Sequence, residues 1–257
     1  MHLFDTVKLF TLFLSIATSL FSLEEDFLLI NGRTDEVITS LGSHLYEQIS
    51  PCSTFKIPLS LMGYDAKVLE DEDSPIWDFQ EGYEDWLLAW QAPQSPLSWI
   101  KESCVWYSKL LCLELGLPTV ENYITLFGYG NQAETCDLFW INSSLKISPK
   151  EQVVFLQKML QGELPVSERA IAMTKKLLFK EELCEGWQLF GKTGWSGSEF
   201  TKDGKTLEHG WFVGWLEKED TFYPFAYLIR GDKIDLNNKI PRTKELLAQS
   251  NLIKSLP

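Results

Sequence analysis

The run PCSTFKIPLSL, Pro51 to Leu61, sets Ser53 and Lys56 three positions apart where an apolar helix would begin. Residues at i and i+3 share a helix face, so the lysine amine can reach the serine hydroxyl. Two chemistries compete for such a pair. Either the serine is a nucleophile and the lysine its base, or the serine caps the helix while the lysine lays its stem on the surface with its ammonium in water. The chain holds three Ser-x-x-Lys patterns, Ser53/Lys56, Ser98/Lys101 and Ser143/Lys146, so the pattern alone decides nothing. The first differs in its setting, because Lys56 stands between Phe55 and the apolar Ile57, Pro58 and Leu59. Burial there would disfavour the ammonium and leave a neutral amine able to take a proton or attack an electrophile. Activating a serine without histidine requires just such an amine.

Few other groups could serve. The three histidines are His2, His44 and His209, so zinc has no ligand cluster and a Ser-His-Asp triad would rest on one isolated imidazole. The five cysteines, Cys52, Cys104, Cys112, Cys136 and Cys184, are odd in number and lack any C-x-x-C, which suits buried thiols with at most one or two disulfides. The acidic run EDEDSP from Glu70 reads as a solvated loop, and no metal or dissociable organic cofactor is expected. With 23 Lys and Arg against 36 Asp and Glu, a net charge of −13 repels nucleic acid and anionic membrane surfaces. Ten tryptophans raise the idea of sugar-stacking platforms, but Trp77, Trp86, Trp90, Trp99 and Trp106 fall in a helical region where core packing is the simpler role.

The elements that must hold Ser53 and Lys56 can be read from patterning. MHLFDTVK followed by LFTLFLSIATSLFS gives residues 1–22 the form of a secretory signal peptide, shorter than the ~20 apolar residues of a membrane span, with an uncleaved anchor as the alternative. Export to the periplasm or the exterior follows, leaving 23–257 as one domain. FLLINGRTDEVITS reads as a hairpin around Asn31, Gly32 and Asp35. From Ser53 to about Cys184 the pattern is mainly helical, with one helix over roughly Leu97 to Leu115 placing Ile100, Cys104, Tyr107 and Leu111 on one face. In SPKEQVVFLQKMLQG, Ser148 is the N-cap, Pro149 opens the helix, Glu151 completes a capping box and Gly162 stops it. WQLFGKTGW, GWFVGWLEKE and TFYPFAYLIR read as strands, and Pro241 to Ile253 as a closing helix. The expected class is α+β: an antiparallel β-sheet built from both chain ends, flanked by helices, with an all-helical subdomain inserted at roughly 65–185.

Beside Ser53-Thr54-Phe55-Lys56, the chain carries Ser103-Cys104-Val105, Tyr129-Gly130-Asn131 and Lys192-Thr193-Gly194-Trp195 in that order. Together with FGYGN, ISPKEQVVFL and GWFVGW, these resemble the serine penicillin-recognising enzymes, and most closely the class D β-lactamases, over about residues 25 to 253. Class A enzymes and penicillin-binding proteins share S-x-x-K and K-T-G, but the S-D-N of class A is absent here, as is its E-x-x-L-N.

The resemblance implies a β-lactam substrate, Ser53 as nucleophile and Lys56 as general base, carboxylated on its side-chain nitrogen by carbon dioxide. It implies that Trp140 supports the carbamate and that Val105 and Phe55 keep water from it. Ser103 would relay a proton to the leaving nitrogen, Lys192 would set the local field, and the backbone N–H groups of Ser53 and Trp195 would form the oxyanion hole. Thr193 would bind the substrate carboxylate beside Gly194. Tyr129 and Asn131 would shape the pocket, although a helix-ending turn explains them equally. Many family members place an arginine before an Ile-Pro pair to hold the drug carboxylate. LNNKIP has Asn237 there, which leaves Arg230, Arg242, or Lys192 with Thr193, as candidates. A non-hydrolytic β-lactam sensor and a D,D-peptidase are the alternative functions, and a homodimer is compatible with any of them.

Overall fold

The computed structural model describes residues 23–141, 144–197, 199–200 and 206–253. The signal-like residues 1–22 and Ser143 lie outside them.

The chain opens with β1 (Glu24–Ile30) and β2 (Val37–Leu41), paired antiparallel as the hairpin pattern anticipates. A 3₁₀ turn, Cys52–Phe55, runs directly into α1 (Lys56–Asp65). There follow α2 (Pro96–Glu102), α3 (Val105–Leu115), α4 (Leu117–Phe127), α5 (Pro149–Gln161) and α6 (Glu168–Leu178). The chain then returns to β3 (Phe179–Glu182), β4 (Gln188–Trp195), the short β5 (Glu199–Phe200), β6 (Thr206–Lys218) and β7 (Thr221–Gly231), and ends on α7 (Lys239–Gln249). The main sheet runs β2-β1-β7-β6-β4-β3, with β5 paired to β6 alone, and every pairing is antiparallel. The first strand thus lies beside the last, and both chain ends share one sheet.

Alternation along the strands builds two apolar layers. Leu28, Ile30, Trp211, Val213, Trp215, Ala226 and Leu228 face the helices α1 to α6, whereas Phe27, Leu29, Phe212, Leu216, Phe225 and Tyr227 pack with Leu246 and Leu247 of α7 on the other side. α1 has almost no polar face. Nine of its ten residues are buried, from Lys56 to Tyr64, because α3, α4 and α6 pack around it.

Two expectations are corrected. Residues 66–95 hold turns and one 3₁₀ segment, Leu88–Gln91, instead of α-helix; the acidic run, Pro75, Gly82 and Pro93 interrupt any helical pattern there. The single helix over Leu97 to Leu115 is two. α2 ends at Ser103, whose backbone is left-handed at φ 57°, and α3 starts at Val105. Ile100, Cys104, Tyr107 and Leu111 are buried all the same.

Candidate active site

Ser53 sits in the 3₁₀ turn at the head of α1, and that turn is pinned from several directions. The Cys52 N–H donates to the Trp140 carbonyl at 2.9 Å. Thr54 donates its hydroxyl to the Pro51 carbonyl at 2.7 Å and accepts from Gln152 of α5 at 2.9 Å. His209 Nε2 and Trp211 Nε1 both donate to the Ser50 carbonyl at 2.9 Å. Burial lowers the His209 pKa to about 4, so at neutral pH this imidazole is an uncharged strut. The isolated histidine of the sequence therefore serves the backbone that presents Ser53.

One helical step on, Lys56 is 1% exposed and among the described residues its Nζ has no hydrogen-bond partner. Desolvation lowers its pKa to about 8, and the titratable groups acting on it are the thiols of Cys104, Cys112 and Cys52, themselves buried. The Trp140 indole Nε1 is likewise buried without a partner. Its ring stacks on Phe55, with centroids 5.8 Å apart and planes 15° apart. Two N–H nitrogens left dry and unpaired cost free energy in the empty protein, and such orphans mark a place for an acceptor. A carboxylate carried on Lys56 would bond Nζ covalently and could accept from the Trp140 indole.

The third component comes from β4. β3 pairs with β4 only as far as Phe190, so from Gly191 to Trp195 the strand has a neighbour on its β6 side alone. Its open edge faces the head of α1, and the Lys192 ammonium donates to Ser103 Oγ and, at 3.1 Å, to the Thr193 carbonyl. Lys192 is 2% exposed, and burial, followed by the charges of Lys56, Lys180 and Lys239, holds its pKa well below the ordinary lysine value. The break between α2 and α3 is what delivers Ser103, since the left-handed residue turns the chain at the cavity wall.

Together these elements enclose a cavity of about 490 Å³, with Ser53, Ser103, Val105, Thr193, Gly194 and Trp195 among its lining. Six predicted residues thus meet at one opening, with Lys56, Lys192 and Trp140 buried behind it. Tyr129 is not on the wall. It is fully buried, packs edge-on to Phe55 at 5.9 Å and donates to Gln152 at 3.4 Å, so it braces the Thr54 end of the turn. Asn131 is spent on the chain itself, bonding the Ser144 carbonyl and the Lys146 N–H at 2.9 Å. Gly130 between them has φ +57° and lies so close to the Lys146 carbonyl that a Cβ would collide with it.

Sequence reasoning missed several lining residues: Trp86, Leu87, Trp90, Ile141 and Lys239. Of the tryptophans assigned to the core, Trp99 and Trp106 are buried there, but Trp86 is 60% exposed and stands with Trp90 at the cavity mouth. Among the described residues no group of three or more His, Cys, Asp or Glu could hold a metal ion.

The chain matches the penicillin binding protein transpeptidase domain family over residues 27–250. It is 35% identical over 232 residues to β-lactamase OXA-9 of Klebsiella pneumoniae, covering 81% of this chain and 82% of that one. The chain belongs to the class D serine β-lactamase family. Among solved structures, the class D β-lactamase OXA-427 superposes with a TM-score of 0.80 at 32% identity, over 90% of this chain and 98% of that one. The C-terminal domain of the BlaR penicillin receptor of Bacillus licheniformis does so with 0.79 at 26% identity, over 90% and 92%. In this class D family member the antiparallel sheet with helices on both faces is the penicillin-recognising fold.

Proposed function

We propose that the protein hydrolyses β-lactam antibiotics through an acyl-enzyme on Ser53. The observation that carries this is the pair of buried, unpartnered nitrogens, Lys56 Nζ and Trp140 Nε1, behind a serine that opens on the cavity. Lys56, with a pKa of about 8, is largely neutral just above that pH, and only a neutral amine captures carbon dioxide. The N6-carboxylate so formed would be held by Trp140 and supplies a general base for both half-reactions.

The remaining roles follow from the chain's own groups. Val105 and Phe55 keep the pocket dry, which strengthens every charge interaction inside it. Ser53 attacks the lactam carbonyl. Its backbone N–H lies in the first turn of a helix, where amides lack intrahelical partners, and with the N–H of Trp195 it receives the developing oxyanion. Lys192 donates to Ser103 Oγ, which leaves the Ser103 proton free to point at the departing nitrogen. Thr193 and Gly194 hold the ligand against β4. Tyr129 acts only by bracing the turn beneath Ser53. The periplasm or the cell exterior, the destination that residues 1–22 spell, is where such a substrate would be met.

Mixing the protein with a chromogenic cephalosporin and sampling by mass spectrometry tests this. Expected are a transient adduct on Ser53, accumulating hydrolysed product, and a lysine carbamate resonance in carbon-13 NMR after equilibration with labelled bicarbonate. An adduct that persists for hours without product would make the protein a penicillin sensor, and release of terminal D-alanine from a muropeptide would make it a D,D-peptidase.

A further inference from the structure

The carboxylate that family members bind through an arginine has no such partner at Asn237, which lies in a 3₁₀ turn and uses its N–H on Asp235 Oδ1 at 2.9 Å. Neither alternative arginine reaches the cavity. Arg230 is held by Asp26 at 3.2 Å and Glu47 at 3.0 Å, and Arg242 by Glu25 at 3.0 Å and Glu245 at 2.9 Å. Another cation does line the cavity.

We infer that Lys239, the first residue of α7, is the residue that binds the substrate carboxylate and so sets the preference for anionic ligands. The assignment rests on the β-lactam reading and deepens it. Lys239 is 5% exposed and lines the same cavity as Ser53 and Thr193. Its stem crosses β6 at Gly210, where a Cβ would stand 2.9 Å from Lys239 Cδ and 2.8 Å from Ile234 Cδ1. Any other residue at 210 would block that path. The ammonium then arrives at the Gly194 carbonyl, 3.0 Å away, one residue from Thr193 and one from Trp195.

Three features of this lysine are unfavourable without an anion. It is desolvated, it sits at the positive end of the α7 dipole, and among the described residues no carboxylate pairs with it. Burial accordingly lowers its pKa to about 8. An arriving carboxylate relieves all three, accepting a charge-assisted hydrogen bond from Nζ while the helix N-terminus adds its field. Lys192 has less to offer, because its ammonium is already on Ser103 and the Thr193 carbonyl. Lys239 thus supplies the positive charge from two positions beyond the arginine site.

The test uses one penicillin as its free acid and as its methyl ester, which removes the charge and keeps the shape. Lys239→Met should lower kcat/KM for the acid by about 30-fold, carried by KM, and leave the ester unchanged; Lys239→Arg should restore the acid to within a few fold. Equal losses for acid and ester, or no loss for either, would overturn the assignment. Titrating both ligands into Ser53→Ala and Ser53→Ala/Lys239→Met protein separates the two proposals. If the unmodified protein turns over neither compound, hydrolysis is refuted, yet an acid-over-ester binding preference that collapses with Lys239→Met still upholds Lys239. Binding of acid and ester with equal affinity to Ser53→Ala refutes it.

Discussion

Cations are treated in opposite ways on two sides of this molecule. Around the cavity, Lys56, Lys192 and Lys239 are all nine-tenths buried or more, and among the described residues none is paired with a carboxylate. Around the first residues of β1, Arg230 of β7 and Arg242 of α7 are each clasped by at least two acidic side chains. The arginines are neutralised where they stand, so their burial belongs to the fold. The lysines are desolvated without compensation, and each has its pKa pushed down. A chain with a net charge of −13 has ample carboxylates to pair them, yet among the described residues none of the three lysines has one. Leaving them unpaired costs stability in the empty protein, and on the proposed reading it keeps Lys56 available for carboxylation and Lys239 available to an anionic ligand.

The contrast breaks most sharply at Lys56. Replacing it with methionine should cut β-lactam turnover by about four orders of magnitude, since in the proposed mechanism one base serves both half-reactions. In the same variant, the melting temperature in buffer free of carbon dioxide should rise. The ordinary lysine pKa of 10.5 falls to about 8 on folding, so the amine costs of order 3 kcal/mol at pH 7, where the unfolded chain binds the proton more tightly. The sign fixes the pH window. The wild-type protein loses this stability as pH drops from 10.5 to about 8 and nothing further below, so its deficit against Lys56→Met should be full at pH 7 and vanish near pH 10.5. Thermal melts across that range measure it, and a variant less stable than wild type at pH 7 would place Lys56 with the arginines.

Arg230 should answer the other way. Arg230→Met strands Asp26, which is fully buried and keeps only the His44 N–H at 2.8 Å among its strong donors. The expected loss is about 3 kcal/mol in urea denaturation, with turnover per folded molecule unchanged within twofold. A variant that keeps its stability and loses turnover would make this ion pair part of the site.

The two regions also differ in how far the sequence disclosed them. Ser53 and Lys56 were legible because local chemistry marks them, a serine and a lysine at helical spacing in an apolar run, whereas Ser103 and Lys192 were marked only by the order of motifs that resembles the class D family. The sheet was legible because aromatic and β-branched runs separated by Gly and charged turns in 188–231 state the strands. The break at Ser103 was not, because the apolar period continues across it and only the backbone angles of Ser103 and Cys104 change. Lys239 was hidden more deeply. Its role depends on an empty path over Gly210, 29 positions away, and on both arginines being occupied elsewhere, which are facts of tertiary packing. Trp86 was misjudged because composition cannot tell a core aromatic from one at a cavity mouth, whereas Trp90 is a core residue that also reaches the cavity.

Arg242 provides the mildest test. Its side chain is 27% exposed, and Glu25 and Glu245 are 22% and 61% exposed, so water screens the pairs. Removing the cation does not orphan Glu25, which still accepts from the Tyr227 hydroxyl at 2.6 Å. Arg242→Gln should therefore cost below about 1 kcal/mol, fade further in high salt, and leave the acid-to-ester preference untouched. The same substitution tests the inference about Lys239 from the opposite direction. If Arg242→Gln weakened the acid and spared the ester, the substrate carboxylate would be drawing on the paired arginines near the start of β1, and the division between paired and unpaired cations would not be the one that governs binding.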